Sequence, residues 1–387
     1  MRNALAAACM VALAAGAALA QPVDIPNPSF EDGVETPAGW TLSRGAGGVT
    51  RSRNHSAVPT GAGGVTGDAA DGNRAITVTG NEAADDTNYW RSAPLDFAPD
   101  AVYRLRFQAR RVSGHGGSPI SGPVFSNRDL HQLGGDWQRI TSYFATPSEI
   151  TPENAWMRFG QWHVDGTVAY DGIELVRAQP VYRRLDSVAL GEGEAIRGGA
   201  YVFNAPLSGA SANHARPLAG FRCSFNKPRW GLGEGAWLTY RHELEGIAQT
   251  SAKVEITIGY YSGGALAAEA SVNGEDWREL GALSEKGTLK ADLPAGLFPA
   301  DTVWVRMRGK TGDELDTGTK RGSFQIHGYT YTAELDEDLP DAQGHTRFLA
   351  VESGDERLDV RVTALGEGRP GGENVLQAEL ENRTGEA

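Results

Sequence analysis

The segment from Trp156 to His163 carries side chains with clear chemical potential. Its residues alternate as in a β-strand, so that Arg158 and Trp162 face one side. Met157 and Phe159 face the other side. Because an unpaired arginine is rarely part of a core, Met157 and Phe159 are predicted to be buried and Trp162 to be exposed. An exposed indole ring beside hydrogen-bonding groups suits the apolar face of a sugar ring.

Local catalytic motifs are missing from the sequence. It contains no Gly-x-Ser-x-Gly elbow, no Gly-x4-Gly-Lys-Ser/Thr phosphate-binding loop and no His-Glu-x-x-His zinc helix. Cys223 has no partner for a Cys-x-x-Cys site. A carboxylate pair for glycoside hydrolysis is a spatial arrangement without a local motif, so the sequence leaves that activity open.

Two further segments are rich in polar groups. The arginine, histidine and glutamate of Tyr240–Leu244 form either a ligand-facing patch or, as we expect, the charged outer face of a strand. The segment Ser271–Trp277 is similar to the Asp-box turn of sialidase propellers, but it is one residue short and occurs once. A hairpin turn, with Asn273-Gly274 supplying positive φ, is predicted instead.

The composition predicts that these side chains are carried by strands. The 50 glycines in 387 residues amount to about 13%, against an average near 7%. Short alternating runs recur between glycine-rich turns, and long helical periodicity is missing almost everywhere, which is typical of tandem β-sandwiches. The net charge of −13 argues against nucleic acid and anionic membranes as partners.

The order of these runs predicts several domains. A first sandwich is expected over 21–179 and a second over 180–335, because Pro180 follows the last strand-like run of the first half. Residues 336–346 are interpreted as an acidic linker. Residues 347–387 are interpreted as an incomplete Ig-like β segment, since two strand-like runs cannot form an independent sandwich.

The first 20 residues are predicted to be a signal peptide. Arg2 precedes an apolar stretch, and Ala18-Leu19-Ala20 matches a cleavage site, so cleavage is expected after Ala20. The mature chain is therefore expected to be secreted, periplasmic or at the cell surface, without a transmembrane segment. Cys223 alone would then remain, so no internal disulfide is expected.

Five fragments within 27–176 carry a family resemblance: Asn27–Glu31 followed by Trp40, Asp71–Ile76, Tyr103–Phe107, Asp136–Trp137 and Tyr170–Leu175. In this order they resemble the galactose-binding-like jelly-roll carbohydrate-binding modules, in particular the cellulose- and xylan-binding group. The resemblance covers about 150 of the 387 residues. It implies a jelly roll for the first domain, and no family is recognised for the second.

The resemblance also implies where a carbohydrate would bind, on the concave sheet and its rim. The residues expected there are Trp90, Phe125, Arg158, Gln161, Trp162 and His163. Aromatic rings suit the apolar face of a pyranose, and the arginine and glutamine suit its hydroxyls. Core packing stays open as the alternative for each single aromatic ring.

A structural calcium ion is the expected cofactor. A jelly roll brings its first and last strands together, so Glu31 and Asp171 are expected to lie side by side. Adjacent carboxylates repel each other unless a cation separates them, and oxygen ligands suit Ca²⁺. The resembling modules hold calcium at these positions, with carbonyls near Gly72. Gly172 stands where the family usually has a second aspartate, which removes one ligand. The alternative is two solvated strand ends.

The sequence therefore predicts an exported, non-catalytic protein that binds a poly- or oligosaccharide through its first domain. Two other interpretations remain open. The chain could be the N-terminal accessory part of a larger secreted glycoside hydrolase with further domains beyond Ala387, or a cell-surface adhesion or spacer protein.

Overall fold

The computed structural model describes most of the chain outside its N-terminus. The described residues are 23–33, 36–44, 62–66, 68–81, 87–185, 187–209, 211, 213–350, 358–364 and 376–382. The predicted signal peptide and its cleavage site lie outside them. No helix within these described ranges is long and apolar enough to cross a membrane.

The first unit is a sandwich of two antiparallel five-stranded sheets. Its strands are β1 (Trp40–Arg44), β2 (Ala62–Thr66), β3 (Ala75–Asn81), β4 (Thr87–Ser92), β5 (Val102–Arg111), β6 (Ser118–Pro123), β7 (Ser126–Asp129), β8 (Gln138–Ala145), β9 (Met157–Trp162) and β10 (Asp165–Arg177). One sheet has the order β2-β3-β10-β5-β8 and the other has the order β1-β4-β9-β6-β7. The core between them includes Phe107, Phe159 and Tyr170.

The second unit is a larger sandwich. Its strands are β11 (Gln179–Leu185), β12 (Val188–Leu190), β13 (Glu194–Arg197), β14 (Ala200–Asn204), β15 (Leu218–Arg222), β16 (Ser224–Asn226), β17 (Arg229–Gly233), β18 (Trp237–Glu243), β19 (Gln249–Tyr261), β20 (Leu266–Ser271), β21 (Arg278–Leu283), β22 (Gly287–Asp292), β23 (Thr302–Gly309), β24 (Ser323–Leu335), β25 (Ala342–Gln343) and β26 (Thr346–Leu349). Short 3-10 turns lie at Ala295–Leu297 and Gly312–Glu314.

Two sheets of the second unit enclose its core. One has the order β15-β18-β23-β20-β21. The other contains β16-β17-β24-β14-β13-β25, with β19 pairing β24 and β22 pairing β19. A small third sheet of order β12-β11-β26 is not paired through its strands with either of them. The predicted all-β class with tandem sandwiches is confirmed.

Strand alternation decides which residues reach this core. Val254, Ile256 and Ile258 are buried, as their period of two predicts. Tyr260 shares that period but is exposed, because the pairing of β19 with β24 shifts register between Ile258 and Tyr260. Such an irregularity turns the residues that follow it away from the face expected from alternation.

The two units share a continuous sheet, which the sequence did not predict. β7 pairs in parallel with β16, with Ser126 opposite Phe225 and Asn127 opposite Asn226. This joins the β1-β4-β9-β6-β7 sheet of the first unit to a sheet of the second, and 13 strands are connected. The Asn213 side chain reinforces the junction by bonding the Ala145 amide at 2.8 Å and its carbonyl at 3.0 Å.

The C-terminal part differs from the prediction. Within the expected linker, β25 pairs with β13, and β26 continues into residues assigned to the third segment while pairing with β11. Acidic composition indicates exposure but carries no information on backbone pairing, which explains the difference. Beyond β26, the strands β27 (Leu358–Ala364) and β28 (Leu376–Asn382) form an antiparallel hairpin.

Candidate functional site

Strand β9 lies at the centre of the sheet that carries the candidate site. Residues opposite each other across a sheet share a face. The register gives three outward rows across β4, β9 and β6: Thr87–Trp162–Ser118, Tyr89–Gly160–Ile120 and Arg91–Arg158–Gly122. Glycine is needed in the middle row, because a Cβ atom at Gly160 would lie 2.4 Å from the Cβ atom of Tyr89.

Two outward aromatic rings are covered by arginines. Tyr89 and Trp156 stack with ring centroids 5.9 Å apart. The Arg91 guanidinium lies 4.2 Å from the Trp156 ring centroid, and that of Arg158 lies 5.9 Å from the Tyr89 centroid. Both rings are buried, although they stand on the outer face of the sheet. These two rings therefore support the outer face of the sheet but have no exposed ring face on which a ligand could stack.

Trp162 is an exposed aromatic side chain on this face, unlike Tyr89 and Trp156. It lies at the end of β9 and is 50% exposed, which confirms the exposure predicted from strand alternation. Its ring contacts that of His163, with centroids 4.2 Å apart. His163 has a φ of 55°, so the chain turns directly after Trp162. The indole therefore projects at the rim of the sheet.

Trp162 lines a groove of about 180 Å³, called here the first groove. Its walls in the first unit are Thr87, Ile120, Asn127, Asp129, Arg158 and Trp162. Asn226 and Arg229 of the second unit complete it. The parallel pairing of β7 with β16 places these residues together, and no sequence motif signals that pairing.

Polar atoms in the first groove lack partners. Asn127 Nδ2 donates to Asp129 Oδ1 at 2.8 Å and to Asn226 Oδ1 at 2.9 Å. Among the described residues, buried Asn127 Oδ1 and Arg158 Nε have no hydrogen-bond partner. Burial lowers the pKa of Arg158, while Tyr89 and Asp129 act in the opposite direction. Buried polar atoms are usually satisfied, so these two are exceptions beside the groove that Arg158 and Asn127 line.

Trp90 and Phe125 require correction as predicted binding residues. Trp90 is 2% exposed and Phe125 is 5% exposed, and both belong to the core between the sheets. Trp90 lies opposite Phe159 on the inward face, and its Nε1 donates to the Thr77 carbonyl at 3.0 Å. Phe125 packs edge-on against Phe97 and Phe144. Neither ring can stack on a ligand.

Gln161 is predicted to bind a ligand, and this also requires correction because the residue is fully buried. Its Nε2 donates to Asn88 Oδ1 at 2.5 Å, and its Oε1 accepts from the Val164 amide at 2.7 Å. It therefore stabilises the turn after β9 from inside the core. His163 contacts Trp162 without lining the groove. Arg158 and Trp162 are the two predicted binding residues that the structure places in it.

Glu31 and Asp171 hold the same loop. Glu31 Oε1 accepts from the amides of Asn73 and Arg74 at 2.7 and 2.8 Å. Fully buried Asp171 accepts through Oδ2 from the amides of Ala70 and Asp71, at 2.7 and 2.8 Å. Burial raises the pKa of Asp171, and these amide hydrogen bonds act against that increase.

The fit of a cation to this loop depends on oxygen atoms. A Cβ atom at Gly72 would lie 2.4 Å from Glu31 Oε1, so glycine allows the close approach of loop and carboxylate. Carboxylate and carbonyl oxygens are the ligands that Ca²⁺ prefers. Within the described part of the chain, however, no cluster of three or more His, Cys, Asp or Glu side chains is arranged for a metal. A cation here would need backbone carbonyls beside the two carboxylates.

No protein-family model matches the chain, and no curated protein sequence matches it. Similar solved structures include the tandem CBM22-1–CBM22-2 domain of Xyn10C from Paenibacillus barcinonensis, with 13% identity, a TM-score of 0.31, and coverage of 82% of this chain and 98% of that chain. The CBM22-1 xylan-binding domain of the same protein has 15% identity, a TM-score of 0.27 and coverage of 40% and 95%.

The N-terminal cellulose-binding domain of a β-1,4-glucanase from Cellulomonas fimi has 16% identity to the chain, a TM-score of 0.23 and coverage of 38% and 91%. All three of these similar structures are carbohydrate-binding domains by name. At such low identities and TM-scores, the function has to be argued from the geometry of the site.

Proposed function

We propose that the first unit binds a poly- or oligosaccharide in the first groove. One arrangement carries this proposal: half-exposed Trp162 lines the groove together with the polar side chains of Arg158 and Asp129. A sugar hydroxyl both accepts and donates a hydrogen bond, so sugar hydroxyls can bind the guanidinium and the carboxylate together. The indole face suits the C–H side of the same ring.

The groove is suited to a short stretch of glycan. Its volume of about 180 Å³ is smaller than the roughly 300–1,000 Å³ of typical ligand pockets. Arginines cover Tyr89 and Trp156, which leaves Trp162 as the stacking surface at this rim. Binding therefore involves few sugar residues and one principal ring contact.

The groove supports binding better than hydrolysis. Among its lining residues, Asp129 is the one carboxylate. Glycoside hydrolases generally use a pair of carboxyl groups on either side of the scissile bond. We therefore propose a non-catalytic role for this site.

Calcium and export belong to the same proposal. Glu31, Asp171 and carbonyls of the loop at 70–74 would hold Ca²⁺, in addition to the amide hydrogen bonds by which the two carboxylates already bind this loop. The apolar N-terminus and the Ala18-Leu19-Ala20 site support export. Mass spectrometry of the protein from its host should find Gln21 at the N-terminus; a retained Met1 would contradict export with cleavage.

A glycan array probed with residues 21–387 tests the binding proposal. The best ligand is then titrated calorimetrically against Trp162→Ala and against Tyr260→Ala, which removes a comparably exposed ring from the second unit. We expect Trp162→Ala to weaken binding at least about tenfold and Tyr260→Ala to leave it unchanged. Absence of glycan binding, or an equal loss in both variants, would refute the proposal.

A further inference from the structure

Three tryptophans stand on the outer face of the β15-β18-β23-β20-β21 sheet. In β23, Val303 and Val305 are fully buried inward, so Trp304 between them faces outward. Trp237 faces the same way, because it lies opposite Arg308 in the adjacent strand. The solvent face of an antiparallel sheet is normally polar. Large apolar rings on such a face commonly mark an interaction site.

These rings line a cleft of about 620 Å³, called here the second cleft. This volume lies within the range of roughly 300–1,000 Å³ that is usual for ligand sites. The rings are Trp237, Trp277 and Trp304, and the hydrogen-bonding groups beside them are Thr239, Asn273 and Thr311. The second cleft lies on a different sheet from the first groove and shares no lining residue with it.

The hairpin loop between β20 and β21 forms a preorganised wall of the cleft. Asn273 Oδ1 accepts from the amides of Glu275 and Asp276, each at 2.9 Å. Gly274 has a φ of +75°, and a Cβ atom there would lie 3.5 Å from the Trp304 ring. The hairpin predicted at this segment is confirmed. Because side-chain hydrogen bonds fix the loop, little ordering is required when a ligand enters.

The two arginines that line the cleft are already compensated, and Glu275 adds a negative charge to its wall. Arg306 lies 4.0 Å from the centroid of Trp277 and donates to Glu269 at 2.7 Å. Arg308 donates to Glu269 at 3.1 Å and to Glu314 at 2.8 Å. A cationic ligand would meet two rings that arginines already contact, because Arg241 also lies 5.3 Å from the centroid of Trp304. An anionic ligand would have to compete with Glu269 and Glu314 for the arginines and would be repelled by Glu275. The cleft therefore favours a neutral ligand with flat apolar faces and hydroxyl groups.

We infer that the second cleft binds a neutral glycan, independently of the first groove. Pyranose rings supply apolar C–H faces for the tryptophans, which unlike Tyr89 and Trp156 are partly exposed, and hydroxyls for the threonine side chains. The parallel pairing of β7 with β16 joins the two units. A polysaccharide long enough to reach both sites would then bind with avidity, because its second contact is intramolecular.

The test uses residues 21–387 and a panel of neutral oligosaccharides, such as hexamers of xylose, glucose and mannose. Binding is measured by titration calorimetry, which gives stoichiometry as well as affinity. Ala219 is an exposed residue of the cleft wall, so Ala219→Arg fills the cleft without removing a packed ring. Ala93→Arg is the control, since Ala93 is equally exposed and lines neither site.

We expect one binding event to persist in Trp162→Ala. Ala219→Arg should lower the affinity of this event at least tenfold, and Ala93→Arg should leave it unchanged. Trp277→Ala, which removes a ring of the cleft, should weaken the same event. If no oligosaccharide shows binding that is sensitive to Ala219→Arg, the inference is wrong, even where Trp162→Ala shows that the first groove binds. If Ala219→Arg alone abolishes binding, the second cleft stands and the first groove fails.

Discussion

Glu194 is a fully buried carboxylate that forms an ion pair with one arginine, Arg216. Arg216 donates to it from Nε at 2.8 Å and from Nη2 at 2.6 Å. The Tyr201 hydroxyl and the Gly191 amide each add a hydrogen bond at 2.6 Å. Arg216→Ala would leave the carboxylate buried without a compensating charge. Breaking a buried pair in this way costs about 3–5 kcal/mol of unfolding free energy.

The double variant Glu194→Gln/Arg216→Ala separates this cost from the loss of the arginine itself. Glutamine carries no charge, and its carbonyl oxygen can accept from the Gly191 amide while its NH2 group donates to the Tyr201 hydroxyl, which can also accept. We therefore expect the double variant to be more stable than Arg216→Ala alone. The double-mutant cycle consists of the unmodified chain, the two single variants and the double variant. Denaturant unfolding followed by tryptophan fluorescence measures the stability of each, and the coupling energy gives the interaction between Glu194 and Arg216.

Two results would refute this reasoning. One is a loss of less than about 1 kcal/mol in Arg216→Ala, the value typical of exposed ion pairs. The other is a double variant that is as unstable as the sum of the two single variants, because the charge of Glu194 would then not cause the loss.

Three further predictions concern pH, the two tryptophans and calcium. Burial lowers the pKa of His214 to about 4 and that of His242 well below its usual value. Unfolding therefore takes up protons below about pH 6.5. The two histidines should leave the unfolding free energy unchanged just above that pH and lower it towards pH 4, by roughly 3 kcal/mol for His214 alone; a flat profile below pH 6.5 in denaturant titrations would contradict this. Trp90→Ala should lower the unfolding free energy by about 3–5 kcal/mol, and Trp162→Ala should lower it much less because that ring is half-exposed. Equal decreases in Tm would contradict a buried Trp90 and an exposed Trp162. Ca²⁺ at 100-fold over its Kd should stabilise the folded chain by about 2.7 kcal/mol. Chelation should thus lower Tm, and Asp171→Asn should remove the difference; identical melting with and without chelator in the unmodified chain would reject calcium.

Local pattern predicts the parts of the candidate site that depend on one strand. The period of two in β9 separates Phe159 from Trp162, and the structure buries the first and exposes the second. The same reasoning fails for β4, where Tyr89 and Trp90 are adjacent and both buried. Tyr89 faces outward, but Trp156 and Arg158 cover it. Two neighbouring aromatic residues therefore give no alternation from which the inward one could be recognised.

The sequence by itself determined the all-β class, the exposure of Trp162 and the hairpin at Asn273-Gly274, because strand alternation and turn chemistry act between residues close in the chain. Only the tertiary structure decided the composition of the two candidate sites. Asn127 meets Asn226 through a parallel pairing of strands about 100 residues apart, and the second cleft forms where the tryptophans of three separate segments converge. Such contacts depend on packing between distant segments, and a local sequence pattern contains no record of which segments will meet.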